Sequence, residues 1–197
     1  MTFKVRVGPA QIAIHHTVTV LVTEPNGEMP WPSDRGLYLL DTRLISAWSV
    51  QANGESWDLL NGGAVRHDTA RIYLTNREFL TEDGTIPRRT LSFVLSRRVD
   101  GGLHEDLDIT NHGRTAIRFN LEVLVRSDFA DVFDVKAKRN IRRGHISSSW
   151  SDGQTLTTAY RNEDFVRAVT ITVQPPELNV VYANGRLSFE VKLNPGE

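Results

Sequence analysis

The stretch TAIRFNLEVLVR, residues 115–126, decides the fold. Its Ile117, Phe119, Leu121, Val123 and Val125 alternate with Arg118, Asn120, Glu122 and Arg126, and only Leu124 breaks the rhythm. Side chains two apart in a strand share a face, so this spacing builds one apolar side and one wet side. Wound into a helix, the same residues would scatter around the axis and bury nothing coherent.

The same period recurs on both sides of that stretch. Leu91, Phe93 and Leu95 share a face; Leu103, Leu107 and Ile109 stand opposite His104, Asp106 and Asp108. Leu187, Phe189, Val191 and Leu193 face away from Ser188, Glu190 and Lys192, and Val18, Val20 and Val22 alternate with threonines, whose β-branching suits strands. Between the runs sit Asn53-Gly54, Asp100-Gly101-Gly102, Asn111-His112-Gly113 and Asn184-Gly185, with Asn26-Gly27, Asp83-Gly84 and Asp152-Gly153 adding reversals. Asn-Gly and Asp-Gly supply the positive φ that tight hairpins need. The count is roughly 12–15 strands at the spacing of an antiparallel β protein. A helical turn fits only Asp128–Asp134, where Phe129 and Phe133 stand four apart, and Pro175-Pro176 marks a strand break. The expectation is an all-β protein: a large antiparallel two-sheet sandwich, one domain over residues 1–197.

Composition narrows the function. Twenty-three Lys+Arg against twenty-four Asp+Glu give a formal charge of −1, which removes the electrostatic case for nucleic acid or an anionic membrane. No apolar run approaches the ~20 residues that span a bilayer, and the N-terminus carries no signal-peptide pattern. With no cysteine there is no disulfide framework, thiolate nucleophile or cysteine zinc site. That, with no N-glycosylation sequon, points to a cytoplasmic protein.

Searching for chemistry yields little. The six histidines show no zinc spacing, and no phosphate-cradling loop, dinucleotide fingerprint or nucleophile elbow is present, so no metal or cofactor is expected. Asp128, Asp131 and Asp134 recur every three residues, and Glu105, Asp106 and Asp108 cluster. A glycosidase needs two carboxylates ~5–9.5 Å apart, which spacing does not establish; caps and pairs with Arg126, Arg142 or Arg143 are the commoner use. Among the aromatics, Trp48 and Trp57 read as core. Trp31, held between two prolines, is the best candidate for an exposed ring against which a sugar could stack.

Three segments carry a resemblance. GLYLLDTRLISAWSVQANGESWDLL (residues 36–60) holds Gly36, Tyr38, Asp41-Thr42-Arg43, Ile45-Ser46 and Asn53-Gly54. RRVDGGLHEDLDITNHG (residues 97–113) and SDFADVFDVKAKRNIRRG (residues 127–144) follow. Together they resemble the N-terminal domain of bacterial glycogen-debranching enzymes of the amylo-α-1,6-glucosidase type. The resemblance implies a β-supersandwich that precedes an (α/α)6-barrel catalytic domain hydrolysing α-1,6-glucosidic bonds. The chain has no helical pattern to build that barrel, and its last residues read as a cut in a longer polypeptide. No catalytic residue is therefore carried over. The implied role is a non-catalytic accessory domain that braces the barrel and contributes to α-glucan binding. Asp41, Arg43, Asp128 and Asp131 are the candidates for the domain interface or cleft edge, against the alternative that they only brace loops inside the sandwich. Trp31 is the candidate sugar contact. The runner-up readings are an autonomous carbohydrate-binding module and a purely structural or oligomerisation sandwich. One departure stands out: after Phe133 the chain reads Asp-Val-Lys-Ala where the family has Glu-Val-Arg-Gly. Lys136 cannot reproduce an arginine's planar fork, so no role resting on that fork is assigned to it.

Overall fold

A computed structural model describes residues 10–139, 141 and 143–197. Strands β1 (Ile12–His16), β2 (Thr19–Thr23), β3 (Gly36–Leu39) and β4 (Thr42–Ile45) form one antiparallel sheet in chain order. They are followed by β5 (Ala47–Ala52), β6 (Glu55–Arg66), β7 (Thr69–Asn76), β8 (Phe79–Thr81), β9 (Gly84–Ile86), β10 (Leu91–Val99), β11 (Leu103–Asn111) and β12 (Ile117–Arg126). A one-turn helix, α1 (Val132–Lys136), then leads to β13 (His145–Ser151), β14 (Thr155–Asn162), β15 (Phe165–Thr172), β16 (Val181–Ala183) and β17 (Arg186–Leu193).

The largest sheet has eight strands in the order β11-β10-β7-β6-β5-β12-β17-β16; β13-β14-β15 form a third sheet and β8-β9 a small hairpin. Every pairing is antiparallel. The eight-stranded sheet curls: the joint between β5 and β6 holds at only two register positions. At the far side, Asn111 at the end of β11 exchanges backbone bonds of 2.8 Å with Gly196 and Glu197, the tail of β17. Its two halves and the four-stranded sheet share one core, in which Ile14, Leu21, Ile72, Phe93, Leu121 and Leu187 are shielded from solvent. Each such side chain contributes ~1.5–3 kcal/mol relative to exposure.

The alternation read in residues 115–126 is real: Phe119, Leu121, Val123 and Val125 are buried while Arg118, Asn120 and Arg126 face water. The architecture is the antiparallel all-β sandwich expected. Asn53-Gly54 and Asn184-Gly185 make two-residue hairpin turns and Asp152-Gly153 opens a three-residue one, each pair with both residues at positive φ. The chain also breaks pairing at Pro175-Pro176, between β15 and β16.

Four details depart from the sequence reading. Among the described residues the strands number seventeen because β8, β9 and β16, at three residues each, are too short to show an alternation. In β2 it is Thr19, Leu21 and Thr23 that point inward while Val20 and Val22 stay half-exposed and Val18 is exposed; alternation gives two faces without saying which is buried. Asn111-His112-Gly113 makes no hairpin, since β11 pairs with β10 and β12 pairs with β5 and β17. The wholly buried Asn111 amide instead ties that corner, donating to Thr115 O at 2.9 Å and accepting from Gly113 N at 2.8 Å. Finally, α1 starts only at Val132, so Phe129 lies outside the helix and is buried, while Phe133 is exposed.

Candidate functional site

The β3–β4 hairpin and the loop after β12, the two segments holding the candidate residues, meet in space. Thr42 bridges Asp131, Arg43 N donates to Ala130 O at 2.9 Å, and Val132 N donates to Asp41 O at 2.8 Å. Across this seam Arg43 reaches Asp128 in a two-pronged ion pair, Nε to Oδ1 at 3.1 Å and Nη2 to Oδ2 at 2.5 Å. Planar guanidinium and carboxylate match in this geometry, which makes it the strong form of the pair. Arg43 Nη1 also donates to Ser33 O at 2.6 Å, so the same side chain holds the loop carrying Trp31. The guanidinium carbon lies 5.5 Å from the centre of the Trp31 ring, a cation–π contact behind an exposed face.

Local sequence explains why the parts fit. A Cβ on Gly36 would meet Ile45 O at 2.6 Å and Arg43 Cδ at 2.7 Å, so only glycine lets the arginine stem cross there. Phe129, at φ +51°, turns the chain sharply between Asp128 and Ala130. Its buried ring stacks on Tyr160 with centroids 5.6 Å apart, anchoring the loop to the three-stranded sheet. Asp131 caps α1 by accepting from Phe133 N at 2.8 Å. The buried Asp134 is clamped by Arg139 at 3.2 Å and Arg143 at 2.8 Å.

Burial works against charge on Arg43, but the Asp128 carboxylate outweighs it and holds the guanidinium above its ordinary value. Burial also raises the Tyr38 phenol, in part offset by the Arg43 charge, and Tyr38 Oη donates to Asp34 O at 2.8 Å.

The structure thus brings Trp31, Arg43 and Asp128 together. Asp41 and Asp131 join the same seam through backbone and cap, with the Asp41 side chain in solvent. The three aspartates spaced by three do not share a face; each has separate work, and Asp128 takes Arg43 rather than the arginines nearer in sequence. Arg142 lies outside the described residues. The acidic cluster on β11 also splits: Asp106 and Asp108 face water, with Asp106 Oδ1 3.1 Å from His104 Nε2, while Glu105 turns inward. Trp57 is buried and Trp48 is packed partly into the core, as expected of core rings.

Sequence reading missed two further buried arginines, Arg35 and Arg97. Arg97 pairs with Glu105 directly across the β10–β11 ladder, Nε to Oε2 at 2.5 Å, and donates to Gly27 O at 2.6 Å. The signal was present: Arg97 continues the face of Leu91, Phe93 and Leu95, and Glu105 that of Leu103 and Leu107.

Beside the seam a cleft of about 550 Å³ opens between the end of β12 and the three-stranded sheet, with Trp31 at its lip and Arg126, Ser127 and Asp128 along one wall. Among the described residues no group of three or more histidine, aspartate or glutamate side chains is placed to hold a metal, and no helix is long and apolar enough to cross a membrane.

The fold and this seam define the class of the protein as an antiparallel β-sandwich domain. The family model for the N-terminal domain of (some) glycogen debranching enzymes matches residues 14–197, and the chain belongs to that family. No curated protein sequence matches it.

Proposed function

We propose that this chain is a single, non-catalytic N-terminal accessory domain of a cytoplasmic debranching enzyme. In this reading it braces an (α/α)6-barrel catalytic domain of the same polypeptide, which cleaves α-1,6-glucosidic bonds, and contributes to α-glucan binding. The observation that carries the reading is the engagement of Asp128, Asp131 and Asp134, the three acids of the segment after β12. Both oxygens of Asp128 are on Arg43, Asp131 is on a backbone amide, and Asp134 is between two arginines. A glycosidase needs one carboxyl free to give a proton and a second free to attack or activate water. Carboxylates held this way position loops instead.

Bracing is supported by what surrounds Asp41 and Asp131. Val18, Leu40 and Phe133, all large and exposed, lie within two residues of that seam: Leu40 N donates to Val18 O, and Asp41 O accepts from Val132 N. An apolar centre with acidic residues beside it is the composition of an interface core and rim. The alternative, a carbohydrate-binding module acting without a barrel, is favoured by one observation only, the exposed Trp31 ring at the cleft.

The test is to assay the purified chain for glucose release from limit dextrin and from isomaltose. No release is expected. Turnover abolished by Asp128→Asn or Asp106→Asn overturns the reading.

A further inference from the structure

We propose that the cleft between β12 and the three-stranded sheet binds a short linear stretch of α-glucan without cleaving it. The identity of the sugar rests on the debranching reading above; the mode of binding rests on the cleft itself.

Its volume, about 550 Å³, falls inside the ~300–1,000 Å³ of small-ligand sites. Its lining selects a ligand that is flat and apolar on its faces and polar at its edges. Trp31 supplies the flat surface: the residue is 43% exposed, although the Arg43 guanidinium lies over its ring at 5.5 Å. Arg43 is itself fixed by Asp128 and by Ser33 O, so the ring is presented in one orientation before any ligand arrives. An indole face matches the C–H face of a pyranose, and a surface ordered in advance loses little entropy on binding.

The edges are met by donors and acceptors on both walls. Arg126 is exposed and makes no ion pair with any described residue, so its planar fork is open to adjacent sugar hydroxyls. On the opposite wall Ser148 Oγ and Thr158 Oγ1 lie 3.1 Å apart, two hydroxyls that satisfy one another and retain acceptor capacity for a third. A purely apolar ligand would use neither the Arg126 fork nor this acceptor capacity. An inorganic anion would meet one solvent-exposed arginine, a weak and salt-screened attraction, and would gain nothing from the ring. Asp128, the one carboxylate on the wall, has both oxygens on Arg43, so the cleft holds sugar and offers no base to break it.

The test is calorimetric titration of the chain with maltoheptaose. Saturable binding is expected, weakened at least about tenfold by Trp31→Ala, as for an aromatic anchor, and weakened by a smaller factor by Arg126→Gln. Trp31→Phe keeps a ring and retains most of the affinity, while Phe133→Ala, outside the cleft, changes nothing. No saturable heat, or equal affinity in the wild type, Trp31→Ala and Arg126→Gln, overturns the cleft assignment. So does displacement of maltoheptaose by inorganic phosphate at equal concentration. None of these results touches the non-catalytic, bracing part of that reading, which glucose release by the chain overturns; the absence of saturable heat removes its glucan-binding part together with the cleft.

Discussion

Arg43 and Arg97 are both buried arginines paired with a carboxylate, yet they do opposite kinds of work. Arg97 is wholly enclosed and meets Glu105 across one rung of a regular ladder, eight residues away in sequence. Arg97 Nη2 and Glu105 Oε1 are left with no partner. Arg43 meets Asp128 across 85 residues, uses both prongs of its fork on it, and spends its remaining donor on the Ser33 and Arg35 carbonyls. The Arg97 pair is an ion pair set into a sheet whose geometry exists without it. The Arg43 pair works beside a short backbone seam: it adds the side-chain tie that joins the Trp31 loop to the hairpin and to the loop after β12. A buried charge pair can therefore be incidental to a fold or constitutive of a site, and the hydrogen bonds around it tell which.

The largest expected effect separates the two by single truncation. Glu105→Ala strands a fully enclosed guanidinium and costs about 3–5 kcal/mol by urea unfolding. Asp128→Ala falls at or below the lower end of that ~3–5 kcal/mol range, because Arg43 keeps two carbonyl partners and the Asp128 position is partly open to water. If Asp128→Ala proves the costlier of the two, the contrast drawn here is wrong.

Replacing both partners sharpens it. Arg97→Met with Glu105→Leu costs only about 1 kcal/mol, since two unsatisfied polar atoms disappear with the charges while the Gly27 carbonyl alone loses its donor. Arg43→Met with Asp128→Leu costs ~2 kcal/mol or more, because the Ser33 and Arg35 carbonyls lose their donor. Its maltoheptaose affinity falls as well, since Trp31 loses its support.

The smallest effect is in pH. Burial pushes the Glu105 carboxyl above its ordinary value, and the Arg97 guanidinium only partly offsets this. A carboxyl raised in the folded state binds its proton more tightly there than in the unfolded chain. Stability from this group is therefore highest below the ordinary glutamate range and is lost as pH rises toward the raised value. Urea midpoints measured across that window should carry a downward slope in the wild type that is absent in Glu105→Gln; an equal slope in both contradicts the assignment.

How much of this was legible beforehand varies with the range of the interaction. The strand of residues 117–126, the Asn-Gly and Asp-Gly hairpins and the break at Pro175-Pro176 are local, and period and turn chemistry displayed them directly. Arg97 and Glu105 were legible by counting in twos, and their polarity hid them among apolar neighbours. The four-residue spacing of Phe129 and Phe133 misled, because a positive φ at Phe129 ends one structure before the helix begins. Motif resemblance marked Asp41, Arg43, Asp128 and Asp131 without saying what they touch. Nothing local could pair Arg43 with Asp128, since several arginines stand nearer in the chain.

The sequence by itself determined that this protein is a stack of antiparallel strands, because side-chain alternation and turn residues act over a few positions and need no knowledge of what lies across the core. Only the tertiary structure decided that two distant loops close on one guanidinium and present a tryptophan beside an open cleft. Contacts between segments 85 residues apart leave no periodic trace: their geometry is set by how the sheets curl and meet.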